Sequence, residues 1–373
     1  MANQQYEKLK YVMTYSKGQV SKAGRALRKG VQGAERSEAI KIIQDFRASH
    51  SYPLMIIKNH IWKNSKRVAP DVIIARRLKR LPTIINKLER PTLDGFTPNA
   101  TEITRMQDIG GCRAIFKNLD QVDTLVRTLK KSRSVHGITK VDDYNTSPKQ
   151  SGYRGIHLVY NCYQNAKRPS DWKGHRVEVQ IRTRIQHAWS TAVELIDLFE
   201  KTDLKTAMEG HEEWRRFFFC LSYVLSVLDG TPHDVESVEK IRTELSALES
   251  KLNFIQKLIG YTMAQDSLVD LNEKDGLYLI AIYIRDDHYQ VNVTHYSNDL
   301  KETAIIQYNY LELDSDVYQT VLVGAQGAGT LVQAYPNFFA DSTMIVKLLK
   351  EILDKPMVNI PTREIRAKLA AQE

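Results

Sequence analysis

Aliphatic residues recur every three or four positions through much of the first hundred residues, as in EAIKIIQDFRASH (38–50) and PDVIIARRLKRLPTIINKLER (70–90), with basic side chains on the other faces. That period predicts amphipathic helices. After the turn-rich RPTLDGFTPNATE the pattern shortens to CRAIF (112–116), HLVYNCY (157–163) and HRVEVQIRT (175–183), with helical segments such as DQVDTLVRTLKKS between them. The short runs read as strands. In VEVQIRT, Val177, Val179 and Ile181 alternate with Glu178, Gln180 and Arg182. A strand puts those three polar side chains on one face, away from the core.

From Arg184, RIQHAWSTAVELIDLFE has the period of a helix packed on a sheet, and EEWRRFFFCLSYVLSVL reads as a nearly all-apolar buried helix. Residues 232–259 are predicted as one long amphipathic helix, opened by Pro232 with acidic residues in its first turn. Near residue 270 the texture changes again. LYLIAIYI, YQVNVTHYS, TAIIQYNYLEL and YQTVLVGA read as strands, followed by helical TLVQAYPNFFA and DSTMIVKLLKEIL. The expected organisation is a domain over 1–262 and a small α+β domain, largely antiparallel sheet, over 263–373. The chain shows no internal repeat.

Its 373 residues, 42% of them hydrophobic, suffice to bury a full core and imply two or three domains. The overall charge of +9 conceals a division: residues 263–373 hold 9 Lys+Arg against 16 Asp+Glu, a balance of −7, which leaves +16 for residues 1–262. A basic front suits a polyanion such as RNA or nucleotide phosphates, and an acidic tail suits a mimic of it; two differently solvated surfaces are the plainer alternative. Cys112, Cys162 and Cys220 form no CxxC pair, so a disulfide framework is not expected and the cytoplasm is the expected compartment. The first 18 residues hold no apolar core of signal-peptide length. Phe217–Leu228 is too short to span a membrane, and Val317–Ala340 is interrupted by Gln, Gly, Asn and Pro.

Two carboxylates stand out, Asp108 in RMQDIGGCRAIF and Glu178 in VEVQIRT. Each precedes or lies in a strand, and parallel neighbouring strands would bring them together. Such a pair with Mg2+ suits phosphoryl or pyrophosphoryl transfer, because the ion neutralises charge building on phosphate oxygens. By residue type alone a solvated or salt-bridged carboxylate is the alternative for either. Arg77, Lys79 and Arg113 supply positive side chains able to grip a triphosphate, or form a solvated basic face. Tyr153, in the loop SGYRG, has small neighbours that let a planar base approach its ring; packing on its own strand is the alternative.

Four ordered segments, RLKRLPTIINKL, RMQDIGGCRAIF, KQSGYRGIHLVY and VEVQIRTRIQHAW, together resemble the synthetase domain of the RelA/SpoT family, which transfers pyrophosphate from ATP to a ribose 3′-hydroxyl. The resemblance implies a mixed β-sheet flanked by helices, similar to nucleotidyltransferases, so the whole chain is expected to be α+β. It implies that Asp108 and Glu178 bind Mg2+, with Glu178 helping to deprotonate the attacking hydroxyl. It further implies that Arg77, Lys79 and Arg113 hold ATP phosphates with help from Lys149 and Arg154, and that Tyr153 stacks on the acceptor base beside His157 and Gln180.

Family members divide by acceptor, some using GDP or GTP and toxic relatives the 3′ CCA end of tRNA. The +16 front and the cluster Lys22, Arg25, Arg28 and Lys29 lean toward tRNA, with a solvated helix end as the alternative for the cluster. The C-terminal region resembles the antitoxin part of the CapRel fused toxin and antitoxin, whose tail, called a pseudo-zinc-finger, occludes the ATP site until a phage capsid protein binds it. No cysteine follows Cys220, so His288 and His295 lack thiolate partners for zinc, and the YxxY motif of such tails is absent after residue 263. The expected trigger-binding side chains are among Tyr308, Tyr310, Tyr318, Tyr335 and Phe338. The first expectation is therefore an autoinhibited ATP:tRNA pyrophosphokinase. The alternatives are a (p)ppGpp synthetase with a regulatory tail and a catalytically silent RNA-binding protein.

Overall fold

The structure, a computed structural model, describes residues 10–90, 100–167, 170–199, 211–259, 276–285, 288–312, 314, 316–324 and 338–354. The chain forms two compact units: residues 1–149 with 154–184, and residues 150–153 with 185–373. The expected boundary at 262/263 lies in 260–275, outside the described residues.

In the first unit, helices α1 (Lys17–Arg28), α2 (Gly33–Ala48) and α3 (Ser51–Val68) lead into strand β1 (Ile73–Leu78) and helix α4 (Leu81–Glu89). Ser16 caps α1 with a capping box to Gln19. Strand β2 (Gly110–Phe116), helix α5 (Leu119–Lys130) and strands β3 (Gly137–Asp143), β4 (Ile156–Asn161) and β5 (Arg176–Thr183) complete it. The five strands form one mixed sheet in the order β1-β2-β5-β4-β3. Only β2 and β5 run parallel; the other neighbours are antiparallel.

The pleat sorts the sheet into two faces. Cys112, Ala114, Phe116, Leu158, Tyr160, Val177, Val179 and Ile181 bury against Leu54, Ile57 and Ile61 of α3 and Val122, Leu125 and Leu129 of α5. The opposite face is polar and carries the candidate site residues Arg77, Arg113, His157, Glu178 and Gln180. A second core joins α1, α2 and α4 through Val20, Leu27, Ile43, Ile84 and Leu88.

The second unit contains α6 (Arg184–Phe199), α7 (Glu212–Asp229), α8 (Val235–Leu252), strands β6 (Leu277–Arg285), β7 (His288–Tyr296) and β8 (Val317–Gly324), and helices α9 (Lys301–Glu312) and α10 (Phe338–Asp354). Its helical core includes Trp189, Trp214, Phe217, Phe254, Ile345, Leu348, Leu349 and Ile352, so the C-terminal helix shares one core with α6, α7 and α8. The strands form an antiparallel sheet with β6 central. The chain is thus α+β with a separate small C-terminal sheet.

Three expectations are corrected, and one strand goes unpredicted. Residues 73–78 are not helix but edge strand β1, whose exposed Arg76 and Arg77 a two-sided strand tolerates. TAIIQYNYLEL is not a strand but α9, because Ala304, Tyr308 and Leu311, at helical spacing, are its covered positions while Ile305, Ile306 and Tyr310 are exposed. The helix predicted over 232–259 begins after the cap Asp234, not at Pro232, and breaks at Asn253, which adopts the left-handed conformation. Strand β3 has no counterpart among the strands that the sequence pattern predicts. Among the described residues, no helix is long and apolar enough to cross a membrane.

Candidate active site

Cross-strand pairing places Gly111 opposite Glu178, Arg113 opposite Gln180, Arg77 opposite Gly111, His157 opposite Gln180 and Asp142 opposite His157. Partners across a sheet project from the same side, so Arg77, Arg113, Glu178, Gln180, His157, Asp142 and Lys140 share the polar face. Asp108 sits two residues ahead of β2, and its charge raises the pKa of Glu178, so the two carboxylates sense one another.

Asp108 is gripped by two lysines. Lys79 Nζ donates to Oδ2 at 2.9 Å, and Lys87 Nζ, from α4, lies 3.2 Å from each oxygen. Lys79 is itself anchored, its N–H donating to Ile109 O at 2.8 Å and its carbonyl accepting from Arg47 Nε at 2.6 Å. Burial alone would push the Asp108 pKa up; the ammonium groups outweigh it and hold the carboxyl below its ordinary value.

Glu178 is held at both oxygens, by His157 Nδ1 on Oε1 at 3.0 Å and by Gln180 Nε2 donating to Oε2 at 2.8 Å. Burial again opposes the charge, and these contacts, His157 first, bring its pKa below the ordinary value. Both carboxylates are therefore ionised at neutral pH. His157 and Gln180, expected beside the acceptor, serve Glu178 directly.

Around them, Tyr144 meets His157 edge-on at 5.2 Å, Lys149 Nζ stands 4.6 Å from the Tyr144 ring centre, and Lys140 pairs with Asp142 at 2.8 Å. Burial lowers the Lys149 pKa, against the opposing pull of Glu178 and Asp142. Arg154 Nη1 donates to Asn145 O at 3.4 Å, and Arg77 is exposed. Sequence reasoning misses Lys87, Lys140, Asp142 and Tyr144. Lys87, three residues after Ile84 on α4, has no sequence signal that separates it from a solvated helix lysine.

Tyr153 belongs to the second unit. Its ring is half-buried and leans on Trp189 with centroids 6.3 Å apart, and the adjoining Gly152 carbonyl accepts from Ser222 Oγ. Of the basic cluster, Lys22 and Arg25 on α1 and Lys29 at its C-cap are exposed, whereas Arg28 is half-buried, donating to Thr101 O at 2.6 Å beside Glu102. Tyr310 is exposed and Tyr308 half-buried; the side chains of Tyr318, Tyr335 and Phe338 lie outside the described residues.

The donor set fits Mg2+. Among the described residues no three His, Cys, Asp or Glu side chains gather as a metal cage. Mg2+ is commonly held by one or two carboxylates together with phosphate oxygens and waters, which matches two ionised, hard oxygen donors. Among the described residues, Asp108 Oδ1 accepts from Lys87 alone and keeps a lone pair to offer.

Residues 76–196 match the family model described as the region found in RelA / SpoT proteins. The chain is 31% identical over 115 residues to GTP pyrophosphokinase YwaC of Bacillus subtilis, covering 31% of this chain and 52% of that protein. It is 30% identical over 123 residues to GTP pyrophosphokinase YjbM of the same organism, covering 33% and 54%. The chain thus spans about half the length of these curated relatives. Among solved structures, small alarmone synthetase 1 of Bacillus subtilis bound to its product pppGpp aligns at 22% identity and TM-score 0.41, over 55% of this chain and 99% of that one. Small alarmone synthetase 2 of Bacillus subtilis aligns at 20% identity and TM-score 0.39, over 54% and 98%. Arg77, Lys79, Lys87, Asp108, Arg113, His157, Glu178 and Gln180 all fall inside the matched residues 76–196.

Proposed function

We propose that the chain is an ATP-dependent pyrophosphokinase that attaches the β,γ-pyrophosphate of ATP to a 3′-hydroxyl. The observation that carries this reading is two ionised carboxylates, Glu178 on the polar sheet face and Asp108 just ahead of β2, the charge of Asp108 reaching Glu178, with Arg77 and Arg113 on the same face and Lys79 and Lys87 on Asp108. The cations suit the triphosphate, whose charge spreads over equatorial oxygens as transfer proceeds. Asp108 and Glu178 would hold Mg2+, which when bound supplies charge neutralisation at the phosphates. The acceptor oxygen bonds to the β-phosphorus, the bond from that phosphorus to the α-bridging oxygen breaks, and AMP leaves. The hydroxyl proton passes to Glu178, with His157 alongside. A carboxylate of depressed pKa suffices where the phosphoryl group is largely detached before the new bond is complete.

For the acceptor, our first reading is the 3′ CCA end of tRNA, supported by the +16 balance of residues 1–262 and the exposed Lys22, Arg25 and Lys29. A second reading, GDP or GTP, is favoured by the relatives named GTP pyrophosphokinase. In the first reading the acidic residues 263–373 restrain the enzyme until a phage capsid protein binds them, in line with their −7 balance. Full-length protein with Mg2+ and γ-labelled ATP, given bulk tRNA or GDP, with and without capsid protein, tests all of this. Label on tRNA supports the first reading and label on the nucleotide the second. Label on neither, or equal label with Glu178→Gln, overturns the enzymatic assignment.

A further inference from the structure

Glu178, Gln180 and Arg182 occupy alternate positions of β5 and project from one face. Their polar heads form a line. Arg182 Nη2 donates to Gln180 Oε1 at 2.7 Å, and Gln180 Nε2 donates to Glu178 Oε2 at 2.8 Å. The chemistry of the two ends fixes the middle. A guanidinium offers only donors and an ionised carboxylate only acceptors, so the amide between them satisfies both in one orientation alone. Flipped, it would set N–H against N–H and oxygen against oxygen. Arg182 is 4% exposed, so its head cannot relax into water and acts as a fixed reference.

We propose that Arg182 is a positioning residue: its buried guanidinium locks the Gln180 amide in the orientation that donates to Glu178. Both carboxylate oxygens of Glu178 are then held, one by Gln180 and one by His157. The proposal rests on the reading of Glu178 as catalytic, but the lock is a property of the protein without substrate and can be observed separately.

The test uses full-length protein carrying 15N-glutamine, with the Gln180 side-chain amide identified by its disappearance in Gln180→Leu. In Arg182→Met the Gln180 amide resonances should move toward those of solvated glutamines, and in Arg182→Lys, which keeps a donor-only head, they should stay near their original positions. Unmoved resonances in Arg182→Met overturn the proposal. If Arg182→Met does not fold, Arg182→Gln replaces it, since its own amide can present either end; two Gln180 environments are expected, and a single unaltered one overturns the lock. Kinetically, Arg182→Met should lower kcat by about 10- to 100-fold with little change in KM for ATP. It should add no further loss on a Gln180→Leu background, and additive losses would count against the coupling. A chain that transfers no pyrophosphate while its amide resonances respond as described defeats the proposed function and leaves the lock standing.

Discussion

Gly111 lies directly opposite Glu178 in the parallel β2–β5 register, so the position beside the carboxylate on the polar face carries no side chain. Packing does not require this bareness. A Cβ there would meet only the Arg77 carbonyl oxygen, at an ordinary 3.7 Å. Valine suits a strand better than glycine. Gly111→Val is therefore expected to keep or slightly raise Tm while lowering kcat/KM about 100-fold, as bulk on the floor displaces substrate. Unchanged kcat/KM would show that the floor is not used.

Gly152 is the converse case, a glycine that packing and backbone both demand. Its φ is +86°, and a Cβ would stand 2.9 Å from Ser222 Cβ and 3.1 Å from Phe219 Cα. The second neighbour is main chain and cannot swing away. Gly152→Ala should destabilise by about 2–4 kcal/mol in denaturant unfolding. Ser222→Ala on top should not rescue it, because the approach to Phe219 remains.

The strands of the polar face are legible because alternation survives when one side is core and the other is not: Val177, Val179 and Ile181 against Glu178, Gln180 and Arg182. Edge strand β1 lacks that contrast, since Ile73, Ala75, Arg76 and Arg77 are all exposed, and its residues join the helical period of α4. Strand β3 escapes because a register shift between Ile138 and Lys140 breaks its alternation and Val141 is exposed. Helix α9 reads as strand because isoleucine and tyrosine favour strands on an intrinsic scale, whereas burial of Ala304 decides the outcome. In the site, the two carboxylates are visible from their motifs. Lys87 is not, because a lysine on a helix looks solvated until the helix is placed. Tyr144 likewise gains meaning only from its edge contact with His157.

Helix α10 is a structural element of the second unit. Leu348, Leu349 and Ile352 are buried in the same cluster as Trp214 and Phe217. Leu349→Ala should cost about 2–5 kcal/mol, read as a lowered urea midpoint with unchanged slope. By the same logic, truncation after residue 262 strips side chains from that cluster and should yield an aggregation-prone chain. A soluble truncation with the Tm of the full chain would contradict this packing.

Two buried histidines make the first unit acid-sensitive. His50 Nδ1 donates to Phe46 O at 2.8 Å, His175 Nε2 meets Ser49 Oγ at 2.9 Å, and the rings lie 4.7 Å apart. Burial pushes His50 down to about 3 and His175 down to about 4. The unfolded chain therefore takes up protons that the folded one refuses. Stability is full above the unfolded value near 6.5 and falls as pH drops toward 4 and then 3. By pH 4.5 the loss should be roughly 3 kcal/mol per histidine. Urea unfolding at pH 7 and pH 4.5 checks it: His50→Phe with His175→Gln should flatten the dependence, and an undiminished dependence would trace it to other groups.

The basic face of α1 separates recognition from stability within one helix. Lys22, Arg25 and Lys29 are exposed, while Arg28 joins α1 to Thr101 and Glu102. Changing the exposed three to glutamine should move unfolding free energy by no more than about 0.5 kcal/mol, as is usual for surface positions. Arg28→Ala should cost more, about 1–3 kcal/mol, because it leaves the Thr101 carbonyl without its charged donor. If the exposed face binds tRNA phosphates, the triple variant should weaken tRNA binding and flatten the plot of log affinity against log salt by roughly 0.7–0.9 for each phosphate no longer neutralised. Affinity for ATP should not change. A triple variant that binds tRNA with the original salt slope would remove this helix from the acceptor surface and shift the balance toward a free nucleotide.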